Sequence, residues 1–560
     1  MKPFALSTID IAIMVAYAVL IIAYGLYHAK RDSSEDYFLA GRNMIWPIVG
    51  IALFAANISS STLVGLAGDA FQTNTHVYNY EWAAAVILIF FAIFFLPFYL
   101  KSRVYTMPEF LERRYNKWSR YYFSAITIIG NVLIDTAAGL YVGNIVLKII
   151  FPDLPSYVII ILLAFAAAAY TIPGGLNSVI QTEVIQAILL VVGSIILTVY
   201  CFNGVGGWSG MVEGLNAKHA AGELALNAEE TLSLIRPLGD EFMSWLGLLV
   251  GVPILGFYFW ANNQFMVQRV LGAKDLNHGR WGALFAGLLK LPVIFIMVLP
   301  GTLAILLFSD LDLSVLNYTL PDGTICTNLE ECPNMTYPVL LFQLLPTGLL
   351  GLVLAGLLAA MMSSVSATFN SASTLITMDF VNKLRPGLTS QQLVRVGQIA
   401  TLILVILASL WAPQIERFGS LFQYLQLVLS FICPPVVAVF IFGLFWKRAS
   451  STGAITALLV GFVVALFLII SNILDLVPAI NDIHFLYVSA ILFVLCSIVL
   501  VVVSLVTEGP DEDQIQHYTW KKRMFTEETE ELRSIPWYLN YRILAIGLLI
   551  ITAIIVGYFW

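Results

Sequence analysis

Apolar runs long enough to cross a bilayer recur along this chain almost without interruption, and that recurrence leaves few folds open. A helix needs roughly 20 apolar residues to span the hydrocarbon core. In lipid the backbone must satisfy its own polar groups, so such runs form helices. About fourteen qualify: Ile9–His28, Met44–Ala70, Tyr80–Lys101, Ser119–Phe151, Tyr157–Ile172, Ser178–Phe202, Phe242–Phe265, Trp281–Phe308, Pro338–Asp379, Val394–Trp411, Leu421–Phe445, Thr452–Ser471, Ile483–Val506 and Trp537–Tyr558. Pro338–Asp379 is long enough to include a short non-spanning helix. Charged residues make up 11% of the chain, against about 25% in soluble proteins, so no large soluble domain fits. The formal net charge of −7 says little about partners, because almost all charges fall between the runs. The lipid bilayer is the expected partner, and nucleic acid is not. The first run lacks a cleavage site and reads as a span, not a signal peptide.

Lys and Arg set the orientation. With the N-terminus outside, the inside loops hold Lys30, Arg31, Arg42, Lys101, Arg103, Arg113, Arg114, Lys117, Arg269, Lys274, Arg280, Lys383, Arg385, Lys447, Arg448, Lys521, Lys522, Arg523 and Arg533. The outside loops hold Lys2, Lys218, Arg236 and Arg417. Both termini are therefore expected outside, in a cell membrane (the inner one in a bacterium). Asn317 and Asn334 begin glycosylation triplets, which are common by chance. Cys326 and Cys332 bound an outside loop, CTNLEEC, and read equally as a disulfide or as two free thiols.

Two spans carry helix breakers. The second contains AANISSSTLVGLAG, which stacks Asn57, Ser59, Ser60, Ser61 and Thr62 ahead of Gly65 and Gly68. The seventh contains GVPILG, where Pro253 removes a helical hydrogen bond. They lie five spans apart, and discontinuous helices at matching positions of two halves point to a transporter with a midplane site. Ala360, Ser363 and Ser364 share one helix face, where two hydroxyls suit a hard cation; close helix packing would use the same small residues. Asp69, Glu81, Asp135, Glu183 and Lys290 stand inside or near the ends of spans, where charge is costly and usually functional. Lys290 also reads as a purely structural ion-pair partner for one of the carboxylates. No HExxH, CxxC, GxxxxGK[ST] or GxSxG motif occurs, so neither an enzyme nor an ATP-driven pump finds its expected chemistry.

DYFLAGR (36–42), AANIS (55–59), YEW (80–82), YTIPGGLNSVIQTEVIQ (170–186), NQFMVQR (263–269), MMSSVSATFNSASTLITMD (361–379), FQYLQ (422–426) and GLFWKRASSTGA (443–454) occur in that order. In these motifs the chain resembles the solute:sodium symporter family, nearest its sodium/galactose and sodium/glucose branch. The resemblance implies an all-α LeuT-type core of two inverted five-helix repeats. The expected division is an extra first span with its loop (1–43), the repeats (44–205 and 206–446), and C-terminal spans (447–560) with a cytoplasmic loop near 507–536. It also implies a sodium ion held by the carbonyls of Ala55, Ile58 and Ala360 and the hydroxyls of Ser363 and Ser364. A second sodium, where family members have one, would fall at Glu183 and Ser366. Glu81, Trp260, Lys290 and Gln426 match hexose-binding positions. Thr62, Gly256 and Phe259 depart from the family's Gln, Asn and Tyr, so the hydroxyl-recognition pattern has changed. Asp135 adds a polar group or ion partner nearby.

The leading expectation is sodium-coupled symport of a hexose-like solute by alternating access. A carboxylate cargo such as a sialic acid, uronate or monocarboxylate would want an Arg in the cavity, and no Arg stands mid-span. A sensor is disfavoured because the 507–536 segment is too short for a signalling module.

Overall fold

The computed structural model describes residues 2, 4–29, 31–316, 325–413, 421–474 and 476–560. Lys30, Arg417 and the Asn317 triplet lie outside the described residues, as do the side chains of residues 421–424 in FQYLQ. Among the described residues the chain is helical, with one isolated bridge between Met44 and Ala273. That bridge fastens the entrance of the second span to the turn that follows the seventh.

Among the described residues eleven helices are long and apolar enough to cross a membrane, and two bent pairs add two more. One of the eleven, Ser156–Val205, runs for 50 residues. At 1.5 Å per residue it is more than twice the thickness of a bilayer core. It breaks at Gly175, whose φ of 58° and ψ of −155° are not helical. A Cβ there would sit 2.4 Å from the carbonyl oxygen of Tyr37, so only glycine fits this turn. The helix thus holds the fifth and sixth spans, and fourteen spans result.

The other spans follow in the expected order. The first is Thr8–Tyr27, and the second is Trp46–Asn57 with Ser60–Thr73, bent by 58°. The third is Thr75–Ser102, the fourth Lys117–Ile150 and the seventh Trp245–Asn262. The eighth is Leu276–Lys290 with Ile294–Phe308, bent by 42° at a break that contains Pro292. The ninth is Leu349–Leu384, preceded by the short helix Thr336–Leu344. The tenth is Ser390–Trp411. Leu421–Phe445, Ser451–Leu474, Phe485–Val506 and Tyr541–Tyr558 complete the set.

Lipid tails are as apolar as leucine, so these helices associate through close packing of small residues. A Cβ on Gly50 would meet the carbonyl oxygen of Gly282 at 2.9 Å, and one on Gly282 would meet Val49 Cγ1 at 2.6 Å. The broken second span is thereby clamped to the eighth. On the tenth span Ile399, Leu402, Ile403, Ile406, Leu407 and Leu410 are exposed, as a lipid-facing stripe requires.

Two details differ from expectation. The seventh span is interrupted at Gly251, which remains in the helical region, but the chain turns extended only at Asn263 (φ −66°, ψ 127°). Pro253 sits in the first turn of Val252–Phe257, where its missing N–H costs nothing. Arg269, counted above as a loop charge, is 1% exposed inside the helix Gln264–Leu271 and forms a buried ion pair with Glu183.

Candidate functional site

The second span opens at Ile58 and Ser59. Ile58 has φ −82° and ψ 84°, and Ser59 is extended and caps the next helix with its hydroxyl. In an unbroken helix the Ser59 amide would bond Ala55, and the Thr62 amide would bond Ile58. Here the Ser59 amide donates to Asn57 O at 3.0 Å, and the Thr62 amide donates to Ser59 Oγ at 3.1 Å. The carbonyls of Ala55 and Ile58 are thus freed of their helical donors. The Ser363 hydroxyl donates to Ala55 O at 3.5 Å, and the Ser364 hydroxyl to Ala360 O at 3.1 Å. The first of these bonds joins the ninth span to the second, and the other lies within the ninth-span helix. Ile58 O, the fifth ligand expected at the sodium site, belongs to the same opening.

Beside this opening lies a cavity of about 130 Å³. Thr62, Glu81, Gly256, Phe259, Trp260 and Gln426, all expected at the solute site, line it, and so do Asp135 and Ser364. Two π-helical turns aim these side chains. Asn131–Thr136 presents Asp135, and Tyr258–Asn262 presents Phe259 and Trp260. Such single-turn bulges re-direct side chains and occur often at functional sites. The ring centroids of Phe259 and Trp260 are 5.4 Å apart in an edge-on pair.

Lys290 is not among the lining residues. Its ammonium pairs with the Glu81 carboxylate, donates to Asn57 Oδ1, and lies 5.8 Å from the Trp260 ring centroid. An ammonium in a membrane interior needs a counter-charge, and Glu81 supplies it. Lys290 thus holds Glu81 and Asn57, two residues of the cavity wall. Glu183 is likewise paired with a cation. Arg269 donates from Nε to its Oε2 at 3.0 Å and from Nη2 to Oε1. Both oxygens are taken by a fork-shaped donor, which answers the charge a second sodium would need. Ser366 donates to Tyr170 Oη at 2.7 Å and does not line the cavity. Arg269 is buried in the short helix that follows the seventh span and does not line the cavity.

Gly256 has a steric explanation. A Cβ there would fall 2.2 Å from Ile87 Cδ1. Ile87 thus fills the space that a larger residue at position 256 would need. Sequence reasoning did not single out Ile87, Tyr80 or Thr368 as lining residues; only the packing of the third and ninth spans brings them in. Asn57 was noted as polar, but its contact with Lys290 had no sequence signal.

On the cytoplasmic side of the expected topology, Asp379 is fully buried. It accepts from Thr106 at 2.7 Å, from Ser124 at 2.5 Å and from Arg120 Nε at 3.0 Å. On the opposite side of the expected topology, Cys326 and Cys332 are disulfide-bonded. The segment just after them reaches the broken span: a Cβ on Gly68 would sit 2.6 Å from Pro333 O.

Residues 37–461 match the Sodium:solute symporter family. This chain belongs to that family. The sodium/myo-inositol cotransporter 2 of Oryctolagus cuniculus is 37% identical over 541 residues, covering 92% of this chain and 79% of its own length. The sodium/glucose cotransporter 4 of Danio rerio is 34% identical over 563 residues, covering 95% and 84%. A sodium-coupled sialic acid symporter, solved in a substrate-bound outward-open state, superposes with a TM-score of 0.75. It shares 20% identity and covers 90% of this chain and 99% of its own. At that identity the likeness concerns the LeuT-type fold. Family membership makes this symporter a multi-pass, sodium-coupled carrier of a small solute.

Proposed function

We propose that this symporter carries a neutral polyhydroxylated solute, a hexose or an inositol, together with sodium. The observation that supports this most directly is the make-up of the cavity. Trp260 offers an apolar face, while Glu81, Gln426 and Thr62 offer acceptors and donors for hydroxyls. The relatives named for myo-inositol and glucose transport agree with it. A carboxylate cargo is less well served, because among the described residues no Arg or Lys lines the cavity.

Sodium is assigned to Ala55 O, Ile58 O, Ala360 O and the hydroxyls of Ser363 and Ser364, a shell of hard oxygen ligands. The solute is assigned to Thr62, Glu81, Phe259, Trp260 and Gln426, with Gly256 and Ile87 shaping the wall. Lys290 acts through Glu81 and Asn57. Glu183 and Ser366 are left out of the ion set, since Arg269 already answers the carboxylate. Sodium ligation joins the second span to the ninth, completes the solute wall and favours the outward-open state. Solute then binds between the broken spans, and rocking of the helices exposes both to the inside. Residues 44–205 and 206–446 act as the two repeats, both termini lie outside, and the protein resides in the cell membrane.

The test is uptake of labelled glucose, myo-inositol and sialic acid into proteoliposomes, with and without an inward sodium gradient, for the wild type and Ser364→Ala. Sodium-driven uptake of glucose or myo-inositol, lost in the variant, is expected. Sodium-driven uptake of sialic acid alone would overturn the neutral-solute reading.

A further inference from the structure

Two carboxylates line the solute cavity, and the structure treats them differently. Glu81 is neutralised from behind by Lys290, which also holds Asn57. Asp135 stands on the π-helical turn of the fourth span, lines the same cavity and is partly exposed. Among the described residues it makes no salt bridge and no cationic side chain lies beside it; its titratable neighbours are Tyr258 and Cys433. The next residue, Thr136, is turned away and hydrogen-bonds Thr368 at 2.6 Å. The bulge thus spends Asn131 and Thr136 on the interface with the ninth span and Asp135 on the cavity.

An unneutralised carboxylate in a membrane interior is costly. It is tolerable where a water-filled cavity or a ligand meets it. With Glu81 paired to Lys290, Asp135 is a cavity carboxylate that no cationic side chain answers among the described residues. We propose that Asp135 is the charge filter of this cavity: it favours polyhydroxylated solutes that also carry an ammonium group, admits neutral ones, and rejects carboxylates. This inference rests on the assignment of the cavity as the solute site. It deepens that reading by naming the solute charge the site selects. A ligand charge only a few ångströms from Asp135 would be felt strongly in a low-dielectric site, and a preference of roughly tenfold or more between amine and carboxylate is expected.

The experiment uses reconstituted full-length protein near neutral pH. Sodium-driven uptake of labelled glucose and myo-inositol is competed by glucose, glucosamine and glucuronate, and uptake of labelled glucosamine and glucuronate is measured directly. In the wild type, glucosamine should compete roughly tenfold or more better than glucuronate. Asp135→Asn should bring the two to parity, and Asp135→Glu should retain the order. Equal competition by the two in the wild type, or an order unchanged in Asp135→Asn, would overturn the charge filter and leave the neutral-solute reading standing. Uptake of glucosamine without uptake of glucose or myo-inositol would overturn both the neutral-solute reading and the filter, which admits neutral solutes. Uptake of glucuronate in the wild type at the rate of glucosamine would overturn the filter whatever the neutral sugars do.

Discussion

The second and seventh spans occupy matching positions in the two halves of the core, yet they break in different ways. The second bends by 58° over two non-helical residues and frees backbone oxygens at Ala55 and Ile58. The seventh stays apolar and helical to Asn262 and changes only its pitch, through a π turn that swings Phe259 and Trp260 into the cavity. One break yields carbonyls, which suit a hard cation. The other yields aromatic walls, which suit the apolar face of a ring. Matching positions in a repeat therefore need not share chemistry; serine and asparagine at one break and aromatic residues at the other decide it.

Substitutions can break or sharpen this contrast. Lys290→Ala should have the largest effect, because it strands the buried Glu81 charge in the cavity wall without its counter-charge. Loss of one partner of a buried pair costs about 3–5 kcal/mol, so transport should be abolished and the melting temperature of purified protein should fall. Ser363→Ala with Ser364→Ala should raise the sodium concentration for half-maximal uptake by roughly tenfold or more, with a much smaller change in solute KM at saturating sodium. Trp260→Ala should do the reverse and raise solute KM, the removed aromatic contact being worth about 1 kcal/mol or more. If each variant moved both constants equally, the division of labour between the spans would fail. Ser59→Ala removes the cap of Ser60–Thr73 and should cost about 1 kcal/mol, read as a lower thermal midpoint with weakened sodium dependence.

The smallest effect is a control far from both breaks. Glu528 binds Arg280 and Arg542 at 2.5 Å and accepts from Tyr541 at 2.6 Å. Burial pushes its pKa up, but these partners outweigh burial and hold it below the usual carboxylate range. A depressed carboxylate stabilises the fold above its unfolded pKa, and that contribution is lost as pH falls through the folded value. Glu528→Gln should therefore flatten the acid limb of the stability curve, with sodium and solute constants unchanged.

Much of the site was legible because local chemistry carried it. Clustered Ser and Asn with glycines inside an apolar run cannot stay a plain helix, and the break fell at Ile58 and Ser59 as the second span's composition required. The i, i+3, i+4 spacing of Ala360, Ser363 and Ser364 needs only helical geometry. The interruption at Gly251, just before Pro253, was legible in GVPILG; the extended residue, Asn263, had no such flag. The bend beside Pro292 is legible in retrospect.

Sequence alone determined the membrane class, the order of fourteen spans and the residue types facing the site, because apolar length and local breakers act within one helix. Tertiary structure decided the partners. That Lys290 chose Glu81, that Arg269 took Glu183, that Ile87 fills the space beside Gly256 and that Asp135 was left facing the cavity all depend on contacts between helices far apart in the chain. Inside a bilayer each buried charge must find whichever opposite charge packing brings within reach, and one chain position says nothing of which that is.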